Sequence, residues 1–144
     1  METSTRGKSD VSKRGYSTSE VADIYRLGKL FLETGQLKRA EGLFAGLNEV
    51  APTFAPAWLG TAYIRSQRGE YEEALAATKS ALKAQSDMTE AMLYLVALSL
   101  TVGDLSTAGT YLGEVREAIE SGTVSNQHAS RFFKMQLARY QTRG

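Results

Sequence analysis

The sequence predicts an all-α protein, a solenoid of three stacked helical hairpins plus a C-terminal capping helix. Two observations carry this. Between Ala57 and Leu82, AWLGTAYIRSQRGEYEEALAATKSAL, helical spacing runs on both sides of Gly69: Trp58, Ala62 and Arg65 share one path, and Tyr71, Ala74, Leu75, Thr78 and Ala81 share the next. Such a hairpin cannot bury its apolar face alone, and the chain supplies others in register. Gly35, Gly69 and Gly103 lie 34 residues apart, and each is followed five residues later by an alanine, Ala40, Ala74 or Ala108.

Residues 1–16 are expected to be a disordered polar tail. METSTRGKSDVSKRG carries four basic and two acidic residues and lacks the apolar core of a signal peptide. A basic arm that touches a partner is the functional alternative. The folded domain is expected over 17–144, with repeats over about 21–54, 55–88 and 89–122. Ser17 to Glu20 fits a capping box, with Tyr16 and Val21 placed to staple it. The first helix should run to about Thr34 and its partner from Leu37 to about Val50, stopped at Pro52. A second hairpin opens near Phe54. Asp87 to Glu90 repeats the capping-box pattern at the third hairpin, whose second helix should start at Asp104 and end near Ser121 and Gly122. A last helix, about 125–142, sets Ala129, Phe132, Phe133, Leu137 and Tyr140 on one stripe, which suits a cap on the open end of the stack. The alternative is a helix that packs only against a partner.

Physical roles follow from the positions. The small residues Ala40, Ala74 and Ala108 let paired helices approach, where a larger side chain would overpack. The glycines stand where the chain reverses and φ > 0 is useful. A formal charge of +1 with interspersed signs gives no field to attract nucleic acid or an anionic membrane. There is no cysteine, which suits a reducing compartment. The longest apolar run, Ala91 to Val102, is too short to span a bilayer and reads as a buried helix. Catalytic motifs and metal-ligand clusters are lacking, and His128 is the only histidine. No enzyme, cofactor or metal is expected. The pair Glu72 and Glu73 reads as a solvated helix start.

The period and its residues resemble the tetratricopeptide repeat. Leu27, Gly28, Phe31, Gly35, Ala40, Phe44 and Pro52 match its pattern in the first copy. Trp58, Gly69, Tyr71, Ala74 and Ala81 match it in the second, and Leu95, Gly103 and Ala108 in the third. The resemblance implies a concave groove lined by the first helix of each hairpin. Carried over position by position, that lining is Tyr25, Arg26, Lys29 and Leu32, then Leu59, Gly60, Tyr63 and Ser66, then Leu93, Tyr94, Ala97 and Leu100. Leu32, Leu93 and Leu100 either line the groove or pack between hairpins. The tyrosines suit contact, offering large amphipathic area at low entropic cost. Arg26 and Lys29 stand without the asparagines of the clamp by which heat-shock adaptors grip an acidic C-terminus.

Within the family, Ile24 to Glu120 is similar to the small tetratricopeptide chaperones of bacterial type III secretion. The stretches IYRLGKLFLETGQLKRAEGLFAGL, FAPAWLGTAYIRSQRGEYEEAL and GDLSTAGTYLGEVREAI carry the similarity. These chaperones include class II translocator chaperones and co-chaperones of the needle subunit. The former usually carry an amphipathic helix before the first repeat, where this chain has its polar tail. The resemblance implies a cytoplasmic chaperone that covers an apolar segment of a secreted subunit, alone or as a homo- or heterodimer, without nucleic acid or membrane insertion. A general scaffold that joins folded partners is the other reading.

Overall fold

The computed structural model describes residues 15–122 and 127–143. Among them are seven helices and no strand: α1 Thr18–Glu33, α2 Leu37–Val50, α3 Ala55–Gln67, α4 Tyr71–Ala84, α5 Thr89–Val102, α6 Leu105–Glu120 and α7 Gln127–Arg143. The first six pair as α1 with α2, α3 with α4 and α5 with α6, and successive pairs pack through α2 on α3 and α4 on α5. This is the expected stack of three hairpins. The polar tail expected over 1–16 lies, for residues 1–14, outside the described residues.

Local chemistry explains most of the ends. Ser17 caps α1 reciprocally: the Glu20 N–H donates to Ser17 Oγ at 3.0 Å and the Ser17 N–H to Glu20 Oε1 at 2.8 Å. Gly35, Gly69 and Gly103 adopt φ of 79°, 76° and 89° at the three reversals, a region that side chains with a β-carbon seldom enter. At α6, Asp104 accepts from the Thr107 N–H at 3.1 Å, as a capping aspartate should. The Thr107 hydroxyl, which donates to the other carboxylate oxygen at 2.7 Å, and after it this N–H hold the Asp104 carboxyl below its ordinary pKa.

The capping box expected at Asp87 does not form. The N-cap is Met88, with no side-chain bond to the helix, after a turn in which the Met88 N–H reaches the Gln85 carbonyl at 3.2 Å. Met88 packs against the hydrophobic core, and that burial sets the start of α5 one residue later than the polar pattern suggests. Glu90 is thereby released from a capping role.

Two apolar clusters hold the stack. Val21, Ala40, Phe44, Leu47, Ala51, Ala57 and Ile64 join the first hairpin to α3, and a larger cluster spans α4, α5, α6 and Phe133 of α7. Ala40, Ala74 and Ala108 are fully buried at the helix crossings. Helix α5 is apolar nearly all round because α4, α6 and α7 pack on it. Helix α7 lies against α5 and α6, with Ala129, Phe132, Leu137 and Tyr140 packed on the core. It therefore caps the third hairpin within the chain. Its buried Gln136, which no apolar stripe announces, accepts from Arg139 Nη1 at 2.8 Å. The reach of α7 before Gln127, expected from about 125, falls outside the described residues.

Candidate functional site

The first helices of the three hairpins line an open cavity of about 330 Å³. Helix α1 supplies Tyr25, Lys29, Leu32 and Glu33, α3 supplies Leu59, Gly60 and Tyr63, and α5 supplies Glu90 and Tyr94. The period of the repeat brings these residues together, since equivalent turns of successive first helices come to one side of the stack. No residue of α2, α4 or α6 takes part.

Aromatic groups form its frame. The Tyr25 ring lies 5.8 Å from that of Phe44 and meets Phe54 edge-on at 5.4 Å between centroids, and the Lys29 ammonium stands 5.8 Å from the Tyr25 centroid. Burial, and after it the negative charge of Glu90, push the Tyr25 phenol above its ordinary pKa. Ser66 Oγ and the Tyr94 hydroxyl are 2.6 Å apart, a hydrogen bond that ties the second hairpin to the third and fixes the Tyr94 ring. Burial raises the Tyr94 phenol, and the bond to Ser66 partly offsets the rise. Tyr63 is the open aromatic, 42% exposed.

A second cavity of about 560 Å³ continues from the first. Thr89, Glu90, Leu93 and Tyr94 form its α5 side, and His128, Ala129 and Phe132 of α7 its other wall. Glu90 and Tyr94 line both.

Several positions carried over from the repeat pattern stand elsewhere. Leu100 is fully buried in the core, and no ligand in the cavity reaches it; the alternative of packing between hairpins applies. Leu93 is nearly buried and faces the second cavity, and Leu32 faces the first. Arg26 lines neither cavity: its guanidinium is exposed and pairs with Asp23 one turn back. Ser66 acts through Tyr94, and Ala97 is half-buried beyond both linings. Gly60 lies at the first cavity for a packing reason, since a β-carbon there would sit 2.6 Å from the Phe44 ring. Glu33 and Glu90 went unforeseen. Glu33 follows Lys29 by one helical turn, a spacing that places both on one face. Glu90 was hidden by its resemblance to a capping residue.

No family model and no curated protein matches the chain. Solved structures do. The translocator chaperone SycD of Yersinia enterocolitica type III secretion is 18% identical over 90% of each chain, with a TM-score of 0.77. PcrH, from Pseudomonas aeruginosa, in complex with the chaperone-binding region of PopD, is 19% identical over 90% of this chain and 94% of its own, with a TM-score of 0.74. The TPR2B domain of yeast Sti1, in complex with pHsp70, is 18% identical over 86% of this chain and 98% of its own, at 0.75. The fold is a tetratricopeptide solenoid. At these identities the likeness is one of fold. In tetratricopeptide terms the first cavity is built from the inner helix of every repeat, and the second adds the capping helix as a wall. Among the described residues no helix is long and apolar enough to cross a membrane, and no group of three or more His, Cys, Asp or Glu could hold a metal ion.

Proposed function

We propose that this chain is a peptide-binding chaperone that holds an apolar segment of a type III secretion substrate or needle subunit in the groove formed by α1, α3 and α5. It acts in the cytoplasm, by binding rather than catalysis. The folded unit is residues 17–144, and the groove residues are Tyr25, Lys29, Leu32, Leu59, Tyr63 and Tyr94. The observation that carries the reading is the cavity lined by three tyrosines and two leucines, one aromatic from each inner helix. Rigid amphipathic rings at the centre of a concave surface are the usual anchors of peptide binding. PcrH, of the same fold, has been solved with the chaperone-binding region of PopD, which supports a segment of a secreted protein as the ligand.

A scaffold that joins folded partners is the second reading, and the likeness to the Sti1 domain favours it. A carboxylate clamp is not what the lining suits, since Glu33 and Glu90 would meet an acidic ligand with like charge. Co-expression decides between the readings. Producing the chain beside small secreted subunits of the same apparatus should raise the soluble yield of one of them and co-purify it in fixed ratio. Capture of folded partners only, with no effect on solubility, would leave the scaffold reading.

A further inference from the structure

The groove has a chemical feature that an apolar ligand alone does not satisfy. Glu90 stands between the two cavities and lines both, beside Tyr94. Among the described residues, neither its carboxylate nor that of Glu33 at the α1 edge of the first cavity takes part in a hydrogen bond or ion pair. The one cation in the first lining, Lys29, lies over the Tyr25 ring. Two carboxylates against one ammonium leave that lining net negative.

A segment laid from one cavity to the next covers Glu90 and strips its water. Leaving a carboxylate buried without a partner is costly, so a wholly apolar occupant would lose much of what its contacts gain. An acidic occupant adds repulsion. A lysine or arginine at that point pairs the carboxylate as it is desolvated, turning the cost into discrimination.

We infer that the groove selects a segment in which a lysine or arginine stands between two large apolar residues. One apolar residue fills the cavity under Tyr25, Leu59 and Tyr63, the other fills the cavity walled by Leu93 and Phe132, and the cation meets Glu90. This rests on the groove reading proposed above and adds to it the chemistry of the ligand. It also makes α7 part of the binding surface, through Ala129 and Phe132, besides its role as a cap.

The test is selection from a random dodecapeptide phage library on the full chain, on Glu90→Gln and on Glu90→Lys, with Tyr63→Ala as a fourth arm. Glu90 is exposed, so both charge variants should keep the helical circular dichroism of the parent. The parent should enrich apolar sequences bearing a central lysine or arginine. Glu90→Gln should keep the apolar residues and lose the cation, and Glu90→Lys should weaken the best parental peptide about ten-fold or more. Apolar peptides with no cation preference, or a preference unchanged in Glu90→Lys, overturn the inference and leave the groove reading standing. Enriched peptides that bind Tyr63→Ala undiminished, or a library that yields no apolar family, overturn the groove reading and the inference with it.

Discussion

Gly60 and Phe44 are in contact so close that a β-carbon at position 60 would fall 2.6 Å from Cε2 of the ring. Gly28 meets the opposite edge at the same 2.6 Å, so the ring of α2 is held between two glycines, one on α1 and one on α3. The ring is fully buried. Gly60→Ala should therefore overpack the junction of the first two hairpins and cost about 1–3 kcal/mol. Gly42 and Gly46 lie on α2 with open space where a β-carbon would go, and Gly42→Ala should be neutral or stabilise by up to about 1 kcal/mol. Urea melts of both variants check the pair. Equal shifts would show that the glycines differ only in helix propensity.

That junction marks what the sequence reveals and what it hides. The turns at Gly35, Gly69 and Gly103 and the crossings at Ala40, Ala74 and Ala108 were legible, because a positive φ and a close approach each demand one residue type. Ser17 and Asp104 were legible as caps for the same local reason. The rotation of α5 was not. A helix packed by α4, α6 and α7 carries no polar stripe, so nothing in the pattern distinguishes Leu93, which edges a cavity, from Leu100, which does not. Glu90 fits a capping pattern in the sequence, but Met88, by packing on the core, moves the start of the helix.

The second prediction concerns pH. Arg68 Nη1 and Nη2 donate to the two carboxylate oxygens of Glu41 at 2.8 and 2.9 Å, joining the end of α3 to α2, and this holds the Glu41 carboxyl below its ordinary range. A folded-state pKa below the unfolded one means stability that is present above about pH 4.3 and is lost as pH falls through the folded value. Glu41→Gln should then melt below the parent at neutral pH, and the two melting curves should converge in acid. Both groups are partly exposed, so salt should narrow the neutral gap as well. A gap that persists unchanged in acid would assign the effect to packing.

Removal of α7 is the third. Phe133 is buried and Phe132, Leu137 and Tyr140 pack on the core, so a chain ended at Gly122 opens an apolar face of the third hairpin to water. The shortened chain should aggregate or unfold without a sharp transition, as judged by light scattering and thermal circular dichroism. Melting like the full chain would make α7 dispensable to the stack.

The final prediction separates an apolar ligand from an acidic one. Tyr63 stands at the middle of the three inner helices and is the most open of the cavity's aromatic rings, so it has contact area to give a ligand and little to lose from the core. Tyr63→Ala should weaken binding of the secreted segment by about 2 kcal/mol or more, the size expected at a central aromatic anchor, and leave the melting curve near the parent's. Arg26 lies outside both cavities on its pair with Asp23, and Lys29 leans on the Tyr25 ring. Replacing both with alanine should alter the association rate and its salt dependence more than the affinity, since rim charges steer more than they hold. An acidic ligand reverses the order: the double charge change would be the severe one and high salt would release the complex. Titration of the same segment against both variants, at low and high salt, decides the matter. Binding abolished by the Arg26 and Lys29 changes and untouched by Tyr63→Ala would replace the apolar groove with a charge-reading surface.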